Sequence, residues 1–193
     1  TLSPHKIYEF DLELKEQEAQ SLLNSIPVGL FETLDGMQAQ GKISYKLSML
    51  LDSREPDSVQ FSSALTPKDF KIVKWGKTDL QFMNRDFVYT PYEFGKPMRS
   101  IYIGTSNPNF VPINQVSENF KNAVLTSEDP SFFRHNGFVE EAIRNSIAVN
   151  YKAKAFKRGG STISMQLVKN VFLGRQKTIS RKAEEIIIVW LLE

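Results

Sequence analysis

Ser117-Glu118-Asn119-Phe120-Lys121-Asn122-Ala123-Val124-Leu125-Thr126-Ser127-Glu128-Asp129-Pro130-Ser131-Phe132-Phe133-Arg134-His135-Asn136-Gly137 is the stretch whose reading decides the fold. Ser117 is a residue type that caps a helix start. Phe120, Ala123 and Val124 recur at helical spacing and are expected to form the buried face. Pro130 disfavours helix in the residue before it, so the helix should stop at Glu128 or Asp129. Helical spacing continues downstream. A second helix is expected over about Phe138 to Tyr151, and a third from Ser161 or Thr162, after Gly159-Gly160, to a C-terminal cap at Gly174. A fourth should run from about Ser180 to the last residue, Glu193, inside an apolar pattern, as expected for a piece of a longer protein that is incomplete and inactive alone.

Upstream of Thr105-Ser106-Asn107-Pro108-Asn109 the pattern is different. Tyr8, Phe10, Leu12 and Leu14 alternate with Glu9, Asp11 and Glu13, and Ile43, Tyr45, Leu47, Met49 and Leu51 alternate with Ser44, Lys46 and Ser48. That is the period of half-buried strands. Shorter strands are expected at Ser58–Leu65, Phe70–Trp75, Leu80–Met83 and Arg99–Ile103. The expectation is an α+β chain: an antiparallel β accessory region over residues 1–105, without a catalytic motif and suited to docking or spacing, and a mainly helical domain over 106–193.

Composition narrows the chemistry. The 193 residues suffice for a real core, and the absence of Cys excludes disulfides, thiolate nucleophiles and Cys-ligated zinc. Two His are too few for a His-based metal cage. No apolar run approaches a membrane-spanning length: the longest, Ile186 to Leu192, has seven residues. The N-terminus shows no signal peptide, so an export signal or anchor would have to lie outside the chain. The formal net charge of +2 hides nine Lys/Arg and no acid between Tyr151 and Lys182, a block that would attract phosphate, nucleic acid or an anionic membrane surface, or else form a solvated basic face.

Three groups of residues could carry chemistry. Glu128 stands at the negative end of a helix beside Phe132 and Phe133, a setting that disfavours its charge and suits proton abstraction, although an acid pair before Pro also simply ends helices. Gly159-Gly160-Ser161-Thr162-Ile163-Ser164-Met165-Gln166-Leu167-Val168-Lys169-Asn170 opens a helix with Ile163, Leu167 and Val171 on an apolar stripe and Thr162, Gln166 and Lys169 on a polar one. Its first N–H groups and Lys169 could hold phosphate oxygens, though the Gly-Lys-Ser/Thr ending of a Walker loop is absent. Lys177, Arg181, Lys182 and Glu185 form the third group, with Arg181 and Glu185 four apart on one helix face.

In order, Glu128-Asp129-Pro130 through Phe133, His135 and Gly137, then Gly159-Gly160 through Asn170, then Arg181-Lys182-Ala183-Glu184-Glu185 closely resemble the first three motifs of the peptidoglycan glycosyltransferase (transglycosylase) family. This is the domain of class A penicillin-binding proteins and monofunctional biosynthetic transglycosylases. The resemblance covers Phe110 to Glu193. It implies a lysozyme-like helical fold that polymerises lipid II into β-1,4-linked glycan at the outer face of the bacterial cytoplasmic membrane, on the periplasmic side. It casts Glu128 as the base on the acceptor 4-hydroxyl, and Glu185 as a second catalytic carboxylate that orients substrate or a divalent cation, Mg or Mn. Lys169, Lys177, Arg181 and Lys182 are cast as ligands of the departing pyrophosphate, Ser161, Thr162, Gln166 and Asn170 as cleft residues, and Asp129, Phe133, His135, Gly137 and Gly160 as structural motif positions.

The implied partners are lipid II, the nascent glycan, an anionic membrane surface and, through residues 1–105, other cell-wall synthesis proteins, with no nucleic acid. No cofactor is required. Two departures stand out: Ser164-Met165-Gln166 replaces the usual Thr-Gln-Gln, expected to cost one polar contact, and Lys177 stands where Arg is common. The competing readings are a non-catalytic scaffold or glycan-binding module that keeps the fold, and a lytic hydrolase, which would have no use for a cluster of phosphate-binding cations.

Overall fold

The structure, a computed structural model, describes residues 5–174 and 178–193. Among them are seven strands, β1 (Ile7–Glu18), β2 (Gln38–Asp52), β3 (Gln60–Lys74), β4 (Phe87–Tyr89), β5 (Tyr92–Glu93), β6 (Lys96–Pro97) and β7 (Ile101–Ile103). Five α-helices accompany them: α1 (Ala19–Ser25), α2 (Glu118–Glu128), α3 (Glu140–Ala153), α4 (Ile163–Val171) and α5 (Ile179–Leu192). All strand pairs are antiparallel, so the chain is a mixed α and β protein. It forms two compact units, each assembled from separated pieces of sequence.

The first unit draws on Thr1–Pro27, Met37–Lys74 and Phe138–Ser161. Its sheet has the order β1-β2-β3. The two strands expected at Ser58–Leu65 and Phe70–Trp75 are one strand, β3, because a bulge opposite Gly41 lets the ladder continue. Gly41 has φ +85°, and a Cβ there would stand 2.3 Å from the carbonyl oxygen of Asp69, so the bulge admits no side chain. Helix α1 is tied to β2 through Gln20, whose Oε1 accepts from the Ala39 N–H at 2.9 Å. Helix α3 covers part of one sheet face, where Leu51, Val59 and Ala148 form a buried cluster joined by Ile147 and Tyr151. After α3 the chain is held by Asn150, whose Oδ1 accepts from the N–H groups of Lys157 (2.7 Å) and Arg158 (2.9 Å). Gly160 then passes so close to α3 that a Cβ would sit 2.9 Å from the Ala142 carbonyl oxygen.

The second unit draws on Val28–Gly36, Trp75–Gly137 and Thr162–Glu193. The strand expected at Leu80–Met83 is a 3₁₀ turn, Leu80–Asn84: the Asp79 carboxylate accepts from the Gln81 N–H at 2.9 Å and starts a helical turn instead. The strand expected over Arg99–Ile103 is β7, and it pairs with β4. Helix α2 has the expected limits, capped by Ser117. Its expected buried face is not buried, however: Phe120 is 63% exposed, Ala123 and Val124 are exposed too, and among the described residues nothing packs over that stripe. Helix α4 ends at Val171, short of Gly174. The face of α4 that is buried carries Ser164, Met165 and Val168, rather than the Ile163, Leu167 and Val171 stripe. Val168, Ile188 and Val189 are the fully enclosed side chains where α4 packs on α5.

Gly137 lies against this α5 core at φ +77°, and a Cβ on it would come within 2.4 Å of Val189 Cγ1. Gly137→Ala should therefore lower unfolding stability by roughly 1–3 kcal/mol through combined backbone strain and overpacking. Urea denaturation measures it, and an unchanged midpoint would show that the contact relaxes freely.

Candidate active site

In the second unit the Glu128–Asp129 end of α2 meets the first turns of α4, and one carboxylate organises the joint. Asp129, the C-cap residue of α2, has a side chain only 3% exposed. It accepts from His135 Nε2 at 3.0 and 3.1 Å, from the Ile163 N–H at 3.2 Å and from Ser131 Oγ at 3.4 Å. Since a carboxylate can only accept, His135 Nε2 is the donor in this pair. Its Nδ1 is buried without a partner among the described residues. Asp129 thus joins the end of α2, the Phe132–Arg134 turn and the first turn of α4, where a negative charge is favourable. Thr162 completes the joint: its hydroxyl donates to the Gly137 carbonyl at 2.6 Å and accepts from the Met165 N–H at 3.2 Å as the N-cap of α4.

These contacts correct one expectation. The α4 amides of Ile163 and Met165 are already taken by Asp129 and Thr162, so they are not available to phosphate oxygens. Those two amides are thereby withdrawn from anion binding at α4.

Glu128, adjacent to this anchored residue, is held at one oxygen. Its Oε2 accepts from Gln166 Nε2 at 3.0 Å, and its Oε1 makes no hydrogen bond among the described residues. The expected cover of aromatic rings is absent, and Glu128 is exposed. Phe132 turns edge-on to His135 and Phe133 instead, and Phe133 projects outward. Lys169 lies three residues beyond Gln166 on α4, half-buried, and makes no ion pair among the described residues. Met165 points into the core, so its replacement of Gln falls in packing rather than at the cleft face.

On α5, Glu185 is 1% exposed and sits between two cations. Arg181 Nη1 donates to Oε2 at 3.0 Å and Lys182 Nζ donates to Oε1. Sequence spacing anticipates the Arg181 pair, but not its burial. Because Glu185 is enclosed, its removal would leave the largely buried Arg181 without its partner, which costs more than losing an exposed ion pair. The neighbouring Glu184 is turned away and buried, accepting from the Thr33 N–H at 2.6 Å. No sequence signal marks that bond, since its two ends are 151 residues apart.

Asn170, at the far end of α4, lines an open cavity of about 360 Å³ with Phe82, Phe87, Tyr89 and Leu173. Gly160 and Ser161 fall within the first unit. Lys177 lies outside the described residues. Both Glu185 oxygens are engaged by Arg181 and Lys182, and among the described residues no three His, Asp or Glu side chains gather to hold a metal.

Comparison with known proteins shows the family. The family model described as Transglycosylase matches residues 95–193, and the chain belongs to that family. It is 44% identical over 84 residues to a biosynthetic peptidoglycan transglycosylase of Paraburkholderia xenovorans (strain LB400), covering 44% of this chain and 35% of that protein. The corresponding protein of Acinetobacter baylyi (strain ATCC 33305 / BD413 / ADP1) is 44% identical over 80 residues, covering 42% of this chain and 36% of that one. That of Burkholderia cenocepacia (strain HI2424) is 43% identical over 84 residues, covering 44% and 34%. The chain spans about a third of the length of these relatives.

Proposed function

We propose that the protein to which this chain belongs is a peptidoglycan glycosyltransferase that polymerises lipid II into β-1,4-linked glycan, with residues 106–193 forming the first part of a lysozyme-like catalytic domain and 1–105 an accessory region. The observation that carries this reading is the pairing of Glu128 with Gln166 beside the locked Asp129–His135 joint. One Glu128 oxygen is fixed, which orients the carboxylate, and the other is open to a proton. The acceptor sugar's 4-hydroxyl gives its proton to Glu128 as its oxygen attacks the anomeric carbon of the donor. The bond from that carbon to the pyrophosphate breaks on the opposite face, which inverts the α linkage to β, and the electron pair leaves with the lipid pyrophosphate.

Lys169, Arg181 and Lys182 counter the charge that develops on this leaving group. Glu185, enclosed by two of these cations, positions them rather than binding a metal. Substrate of this kind places the reaction at the outer face of the cytoplasmic membrane. No helix among the described residues is long and apolar enough to cross a membrane.

The cation assignment separates this reading from a hydrolase. A lipid-linked pyrophosphate analogue should bind the full-length protein, and its affinity should fall about tenfold or more as salt rises from low to high ionic strength. The Lys169→Ala/Arg181→Ala pair should lose both the affinity and most of the salt dependence, as isothermal titration would show. Equal binding by the variant would remove the leaving-group site from the proposal.

A further inference from the structure

The two outer edges of the β1-β2-β3 sheet are treated differently. On β3 the Ser63 N–H donates to Glu140 Oε1 at 2.9 Å, the Phe61 carbonyl accepts from Arg144 Nη1 at 3.1 Å, and Pro67 has no N–H to offer. These are devices that stop strand addition. On β1 none of them is found. The bond from the Ser53 N–H to the Lys6 carbonyl, with the register that follows it, turns the backbone groups of Tyr8, Phe10 and Leu12 toward β2. Those of Ile7, Glu9, Asp11 and Glu13 therefore face outward, where no described residue bonds them. The strand is twelve residues long, contains no proline, and its bulge comes only after Leu14.

The side chains say what would fit there. Tyr8 meets Tyr151 of α3, and on the same face Phe10 and Leu12 continue past the helix, 49% and 44% exposed. On the opposite face Glu9, Asp11 and Glu13 form an acidic row in which Glu13 alone has an ion-pair partner among the described residues, Lys46. A second copy of β1 would set like charges against each other. We propose that the outer edge of β1 accepts an extended segment of a partner protein, alternating apolar with basic residues, which adds to the sheet as a fourth strand. Its main chain would take the open N–H and C=O groups, its apolar side chains would cover Phe10 and Leu12, and its Lys or Arg residues would neutralise Glu9 and Asp11. This surface is independent of the reading of the catalytic site.

The probe is a capped synthetic peptide of about ten residues that alternates valine and lysine, a usual strand length, with a valine–glutamate peptide as control. Titrated into the 193-residue chain, the lysine peptide should slow amide exchange at Ile7, Glu9, Asp11 and Glu13 and bind at least about tenfold more tightly than the control. Asp11→Pro removes one outward N–H while sparing the ladder to β2, and should weaken binding about tenfold with the circular dichroism spectrum unchanged. Glu9→Lys/Asp11→Lys keeps every backbone bond and should reverse the preference toward the glutamate peptide. Equal binding of both peptides, protection confined to other strands, or self-association of the chain through β1 would each overturn the proposal.

Discussion

Glu128→Gln should abolish most turnover in the full-length protein while leaving lipid-linked substrate binding nearly intact. Glutamine keeps the size of the side chain and can still pair with Gln166, but it has no carboxylate to take the acceptor proton. General-base catalysis is commonly worth ~10²–10⁴ in rate, so single-turnover transfer should fall by at least that order. Because Glu128 is exposed, the melting temperature should barely move. A folded Glu128→Gln protein that polymerises at a near-normal rate would remove Glu128 from the catalytic role. Severe unfolding would instead make it a helix-terminating acid.

Asp129→Ala should have the largest effect on stability. It removes the acceptor for His135 Nε2–H, the Ile163 N–H and the Ser131 hydroxyl, and leaves buried donors unpaired. Hydrogen bonds to a charged group contribute about 1.5–3 kcal/mol each, not additively, so a loss of about 3 kcal/mol or more is expected. Activity should fall with it, since α2 and α4 are then no longer locked and the Glu128–Gln166 pair loses its frame. Asp129→Asn should be intermediate: its oxygen can still accept from Ile163, but its amide faces the Nε2–H of His135 unless the imidazole changes tautomer. Denaturant midpoints for the three proteins measure the order. An Asp129→Ala midpoint equal to wild type would mean that the joint is held by something else.

The parts of this molecule legible in the sequence are those governed by local rules. Ser117 and Pro130 bracket α2, Thr162 caps α4, and the alternation from Tyr8 to Leu14 marks β1, because capping, proline sterics and pleat direction each act over a few residues. The Arg181–Glu185 pair was legible too, since residues four apart share a helix face. What was hidden depends on distant partners. Nothing near Gly41 reports that Asp69 will press against it and carry β3 through a bulge. Nothing on α2 shows that the stripe of Phe120 and Val124 stays uncovered, since periodicity identifies an apolar face but not what meets it. The choice of Ser164, Met165 and Val168 as the buried face of α4 is likewise made by α5.

Labelled lipid II, given to the full-length protein with and without preformed glycan, is the most direct measurement of the central claim that this site transfers sugar at the expense of a lipid pyrophosphate. The prediction is lengthening of labelled strands that muramidase cleaves, as β-1,4 linkages require, with one lipid pyrophosphate released per disaccharide added. Shortened strands from preformed glycan, or binding of lipid II without pyrophosphate release, would contradict it.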